Sequence, residues 1–232
     1  MKQTITENRQ WIDETWQKLD QKLQVVAVRS RDKLPYTTVN GVHDDKSSTD
    51  PSWWTNGFWG GMMWLMYEAT GNEAYRLTAQ RSEELLDTAL ACFDKLHHDV
   101  GFMWHLVSGA SYRLTGNPAS RLRNLFAAST LASRYHVRGD YIQAWNGEAQ
   151  IGYSIIDCLM NLPLLYWASD ELNVNRFRDI AVRQMDMTLR DHIRPDGSVN
   201  HIVDHERDRV GVKQILAGQG YSPDSCWSRG LV

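Results

Sequence analysis

A lone carboxyl in an apolar run is the most chemically suggestive residue of the sequence. In Ser154-Ile-Ile-Asp157-Cys-Leu-Met-Asn161-Leu-Pro-Leu-Leu165, Asp157 stands among Ile, Cys, Leu and Met. Burial there would raise its pKa and keep a proton on it near neutrality, as a general acid needs. The same spacing also fits a capping box, in which Asp157 reaches back to the Ser154 backbone N–H and does no chemistry. His97-His98-Asp99-Val-Gly-Phe102 offers an acid, or its helper, beside two imidazoles. Its alternative reading is a set of helix caps. His201 and His205 form an i, i+4 pair, but Pro195-Asp196-Gly197 before them points to an extended segment rather than a helix. A metal site also needs a third ligand, so no metal is expected. The sequence holds no glycine-rich phosphate loop, no G-x-S-x-G elbow and no Cys/His nucleophile pattern with a base, and no cofactor is expected. Among ten tryptophans, Trp53 and Trp54 open the run Trp-Trp-Thr-Asn-Gly-Phe-Trp-Gly-Gly61. That run is either an aromatic-packed helix entry or a flat platform for a sugar ring, and its Gly and Asn density favours the platform.

The elements that must position these residues read as helices. From 5 to about 28 the apolar residues Trp11, Ile12, Trp16, Leu19, Leu23 and Val26 fall near helical spacing. A polar loop follows over 31–55. Further helices are expected at about 57–69, 72–95, 105–115, 117–136, 154–171, 173–192 and from 224 onward. Three joins recur, at Gly71-Asn72, Gly116-Asn117 and over 170–175. Glycine suits the left-handed position that ends a helix, and the following Asn can cap the next one. Stacked helix pairs in a solenoid or closed toroid follow from such repeats. Short joins would then share one face, and the longer Asp- and aromatic-bearing loops would line a cleft on the other.

Composition excludes other classes. With 25 Lys+Arg against 28 Asp+Glu the net charge is -3, which gives no general attraction for nucleic acid or anionic membranes. A hydrophobic fraction of 42% with 23% charged residues is that of a folded chain. Three scattered cysteines, Cys92, Cys158 and Cys226, fit neither a disulfide framework nor a zinc knuckle. Without an apolar leader or a long apolar span, the expected location is the cytoplasm.

Five stretches, taken in order, carry a resemblance: WWTNGFWGGMMWLMYEATGNEAYR, LHHDVGFMW, YIQAWN, IIDCLMNLPLLYWA and DSCWSRG. Together they resemble the unsaturated glucuronyl hydrolases, glycoside hydrolase family 88. The related rhamnogalacturonyl hydrolases match HHDVGF and IIDCLMNLPLL less closely. The resemblance implies an all-α (α/α)6 toroid without cofactor. Its cleft would take a 4,5-unsaturated uronic acid at the non-reducing end of an oligosaccharide that a lyase has cut from hyaluronan or chondroitin. On the family pattern Asp157 is the general acid/base and Asp99 its partner carboxylate. Trp54 and Trp145 match cleft aromatics, and His98, His201, Gln219, Trp227 and Arg229 match substrate contacts. The implied chemistry is hydration of an enol ether: a proton goes to C4, water adds at C5, and the hemiketal opens to release the glycosidic bond. One carboxyl that gives and then takes a proton suffices, unlike the paired carboxylates of ordinary glycosidases. The family continues past its W-x-R-G motif, whereas this sequence ends at Val232. About seven or eight of twelve helices are therefore expected, in one domain over 1–232 that lacks the family's C-terminal part. A glucuronyl hydrolase, a catalytically inactive helical fragment that at most binds sugar or self-associates, and a rhamnogalacturonyl hydrolase are the readings left open.

Overall fold

The joins between helices form as their residues dictate. The computed structural model describes residues 6, 8–218 and 224. In it α1 spans Arg9–Arg29, α2 is the single turn Lys46–Thr49, α3 spans Asn56–Thr70 and α4 Glu73–Leu90. Gly71 ends α3 in the left-handed region at φ 70°, and Asn72 caps α4 by accepting from the Ala74 N–H at 2.9 Å. The device repeats between α5 (Ala110–Thr115) and α6 (Pro118–Ser133), where Gly116 has φ 71° and Asn117 accepts from the Ala119 N–H at 3.0 Å. The third join, between α7 (Pro163–Leu172) and α8 (Arg176–Met187), is built differently. Asn173 itself takes the left-handed position at φ 53°, and Ser169 Oγ rather than Asn175 accepts from the Arg178 N–H at 2.8 Å.

Two expected helices are redrawn. The one anticipated over 105–115 begins earlier, at Gly101, and runs to Gly109 in the wider turns of a π-helix before tightening into α5. The one anticipated from 154 is strand, then 3₁₀-helix over Ile156–Asn161, then α7. Pro163 lacks an N–H and stands at the first position of α7, where that lack costs nothing. Short strands complete the chain. β1 (Thr38–Val39) pairs with β2 (Val42–His43), and β3 (Tyr135–His136) with β4 (Tyr141–Ile142), both antiparallel. β5 (Tyr153–Ile155), β6 (Ile202–His205) and β7 (Val212–Leu216) form an antiparallel sheet in that order, with Ser154 opposite Val203 and Ile202 opposite Leu216. The helix expected from 224 onward lies outside the described residues.

The architecture is the helical hairpin fold expected, with eight α-helices among the described residues. Its main core is helical, with Trp64, Trp104, Tyr75, Met63, Leu86 and Leu164 fully buried. α3 packs on α4 and on the π-helix, α6 packs on the π-helix and α7, and α7 packs on α8. Joins of two or three residues force the paired helices antiparallel. Short joins therefore gather at one end, and the longer connections 91–100, 134–162 and 193–201 gather at the other. No described helix is long and apolar enough to cross a membrane.

Candidate functional site

The long-connection end brings together residues far apart in sequence. The His98 N–H donates to the Ala144 carbonyl at 3.2 Å, which ties the loop before the π-helix to the loop after α6. Asp99 is buried; its Oδ2 lies 3.0 Å from His97 Nδ1, at ion-pair distance. Its Oδ1 lies 3.5 Å from both His98 Nε2 and Asn161 Nδ2. None of these three side chains accepts from an N–H at the start of the π-helix, so the capping reading of this cluster does not hold. The buried His98 Nε2 also lies 3.9 Å from Asp157 Oδ1 and so stands between two carboxyls.

Asp157 sits on the 3₁₀-helix and differs from the sequence expectation in exposure. Ile156 and Cys158 are buried, but Asp157 turns outward with 47% of its side chain open to solvent. A 3₁₀ turn puts neighbours about 120° apart, so its apolar neighbours can be buried while it is not. The capping-box alternative also fails. Ser154 lies in β5, no side chain caps the 3₁₀-helix, and the Ser154 hydroxyl is held between His192 Nε2 at 2.8 Å and His205 Nε2 at 2.7 Å.

Electrostatics separates the two carboxyls. Partial desolvation in the cleft raises the Asp157 pKa; the imidazole of His98 works against this and the negative charge of Asp99 adds to it. Its half-open side chain limits how far that rise can go. Burial alone would raise Asp99 too, but His98, and then His97 by hydrogen bond and charge, outweigh it and hold Asp99 below the usual carboxylate range. Burial likewise pushes His98 down, against the pull of Asp99 and then Asp157. A neighbouring pair with one carboxyl kept ionised and the other biased towards its protonated form is the pattern by which acid–base roles divide.

The remaining candidates arrange themselves around this pair. Trp145 meets His98 edge to face, with ring centres 6.3 Å apart and planes at 87°. The carbonyl of His201 accepts the Ile156 N–H at 3.1 Å, one residue from Asp157, and its buried ring donates from Nδ1 to the Ala217 carbonyl at 2.6 Å. Trp54 is 37% exposed and packs on Phe58 and Phe102 at 5.9 and 6.1 Å, as a platform would. The Phe102 N–H donates to Asn161 Oδ1 at 2.9 Å, and this Asn161 also touches Asp99. Asn161 and Arg134, both next to the site, were not singled out from sequence; an amide inside an apolar run was the available sign for the first. Gln219, Trp227 and Arg229 lie outside the described residues. The His201/His205 pair sits at the two ends of an extended stretch, about 13 Å apart along the chain at strand rise, too far to share an ion. His97, His98 and Asp99 bring ligand-capable atoms within 4.8 Å of one another, the one such trio among the described residues.

No family model matches the chain. It is 38% identical over 184 residues to an unsaturated chondroitin disaccharide hydrolase of Streptococcus pyogenes serotype M1, covering 78% of this chain and 46% of that protein. To an unsaturated glucuronyl hydrolase of Bacillus sp. (strain GL1) it is 35% identical over 181 residues, covering 76% of this chain and 48% of that one. Among solved structures, an unsaturated glucuronyl hydrolase specific for heparin superposes with a TM-score of 0.79 at 29% identity, over 92% of this chain and 58% of that chain. The Bacillus sp. GL1 hydrolase, described as responsible for degrading glycosaminoglycan, superposes with a TM-score of 0.77 at 29% identity, over 87% and 55%.

Proposed function

Since the chain is a homologue of the unsaturated glucuronyl hydrolases that spans about half the length of the curated relatives it matches, we propose that it carries the acid–base centre of such an enzyme. The reaction is hydrolytic release of 4,5-unsaturated glucuronic acid from a glycosaminoglycan oligosaccharide. One observation carries this reading: His98 Nε2 stands between Asp99 and Asp157, whose acidities are pushed in opposite directions. Asp157, outward-facing and with a raised pKa, delivers a proton to C4. Asp99 stays ionised and favours the positive charge that develops at C5 and the ring oxygen. Water adds at C5, and its proton returns to Asp157. Trp54 and Trp145 offer faces for sugar rings, and His98 and His201 polar contacts; Gln219, Trp227 and Arg229 complete the contact set taken over from the family pattern. We place the reaction in the cytoplasm, consistent with the free Cys92 and Cys158.

The test is Asp157→Asn, assayed by loss of the conjugated double bond's ultraviolet absorbance from a lyase-made disaccharide. Activity should fall by about 10²–10⁴-fold, the usual worth of general acid–base catalysis. The melting temperature should barely move, because Asp157 is exposed and caps nothing. Retained turnover with a lowered melting temperature would overturn the assignment. The half-length match to the curated relatives favours a second reading, a fragment that binds sugar without turning it over. Calorimetric binding of the disaccharide by a parent chain that leaves the absorbance unchanged would select it. Preference for a rhamnose-linked unsaturated uronate would select the rhamnogalacturonyl alternative.

A further inference from the structure

Arg134 closes α6, and its side chain is used unlike the other paired arginines nearby. Arg113, Arg121 and Arg123 meet carboxylates. Among the described residues the Arg134 guanidinium instead donates to main-chain carbonyls. Its Nε reaches Gln143 O at 2.8 Å, Nη1 reaches Leu96 O at 3.1 Å and Nη2 reaches Ala144 O at 3.3 Å. Leu96 lies just before His97-His98-Asp99, and Gln143 and Ala144 lie just before Trp145. The fork thus spans the two connections that bear the candidate site. Ala144 O also accepts the His98 N–H, so one carbonyl serves both the clamp and the loop it holds.

We propose that Arg134 is a positioning residue of this site: its planar fork holds the loop of His98 and Asp99 in register with the loop of Trp145. The acid–base role of those residues rests on the function proposed above, whereas the clamp itself rests only on these hydrogen bonds. The chemistry requires arginine. Five donors in a rigid plane can serve three carbonyls on two loops, while a lysine ammonium on a flexible stem cannot reach all of them in one geometry. The charge has a second use. Burial pulls the Arg134 pKa down to about 10, with Cys158 and Asp99 acting against it, so the group stays cationic at neutral pH on the Asp99 side of the site.

Hydrogen exchange tests the clamp without depending on turnover. The reporter is the His98 amide, and the Met63 amide inside α3 is the reference for global opening. In Arg134→Lys the His98 amide should exchange about tenfold faster or more relative to Met63, as expected when a buried bonding network is loosened. In the absorbance assay kcat should fall more than KM rises, because Asp99 is misplaced relative to Asp157 while Trp54 keeps its packing on Phe58 and Phe102. Arg134→Gln should show both effects more strongly; if it does not fold, Arg134→Lys decides alone. An unchanged exchange ratio, or equal acceleration at both amides, would reduce Arg134 to an ordinary contributor to stability and overturn the proposal. A parent chain with no turnover would count against the catalytic reading of the site, and the exchange ratio would still decide the clamp.

Discussion

At the scale of the residue, the proton inventory of Asp99 and Asp157 makes a prediction separate from either residue's loss. On the proposed mechanism, turnover needs Asp157 protonated and Asp99 ionised. The rate should therefore fall at low pH as Asp99 takes a proton, and at higher pH as Asp157 gives one up. Because the Asp157 pKa is raised, its limb lies above that of an ordinary carboxyl. Asp99 is one cause of that rise. Asp99→Asn should then lower the Asp157 pKa and move the alkaline limb to lower pH, besides reducing the rate. Carbon-13 titration of the Asp157 carboxyl reads the same shift without substrate. A midpoint that stays in place in Asp99→Asn would show that the two groups do not sense each other.

At the scale of the element, β5 and β6 are joined to the π-helical segment Thr188–His192, which follows α8, by a buried polar cluster. Ser154, His192 and His205 are fully enclosed, and His205 stacks on Tyr141 at 4.5 Å. His192 donates from Nδ1 to the Asn200 carbonyl, so its Nε2 must accept from Ser154. The Ser154 oxygen is then free to accept from His205 Nε2. Burial disfavours the charged form of both rings, and in their neutral forms this chain of donors puts the proton on Nδ1 of His192 and on Nε2 of His205. Burial pushes the His205 pKa down to about 4 from an ordinary 6.5, with Asp191 acting against it. The unfolded chain thus binds more protons than the folded one between those values. The stability contributed by His205 is complete above about pH 6.5 and is lost as pH falls towards 4, about 3 kcal/mol in all. Thermal melts over that window should show the loss, and His205→Gln, which keeps a donor for Ser154, should show a shallower slope. Asp99 acts in a lower window, since a depressed carboxyl loses its stabilising contribution only below its ordinary value. An identical slope in His205→Gln would assign the acid sensitivity to other groups.

At the scale of the whole molecule, the chain leaves apolar helix faces uncovered. Phe58, Met62 and Leu65 on α3 are 38%, 44% and 64% exposed. With Leu106, Tyr112 and Trp167 they line an apolar groove of about 770 Å³. Contiguous surface of this kind drives association in water. Sedimentation velocity should show self-association that grows with concentration, and Leu65→Glu should shift the chain towards monomer without lowering its melting temperature. A parent chain that remains monomeric throughout would mean that the groove tolerates water.

The sequence alone determined what depends on near neighbours in the chain. Gly71-Asn72 and Gly116-Asn117 were readable because a left-handed cap and its Asn acceptor act within three residues. The helical class was readable because apolar periodicity is also local. The candidate site residues could be proposed from sequence only through family resemblance, since a capping box and a buried acid look the same at Ser154 and Asp157. Tertiary structure removed the capping box by placing Ser154 in a sheet opposite Val203 and against His192 and His205, partners some forty to fifty positions away. It also turned Asp157 outward, set His98 between two carboxyls and lent Arg134 to both loops. The reason is one of range. Capping and periodicity are energies of adjacent bonds, whereas strand pairing and the parting of two acidities depend on distances through space that only the packed helices fix.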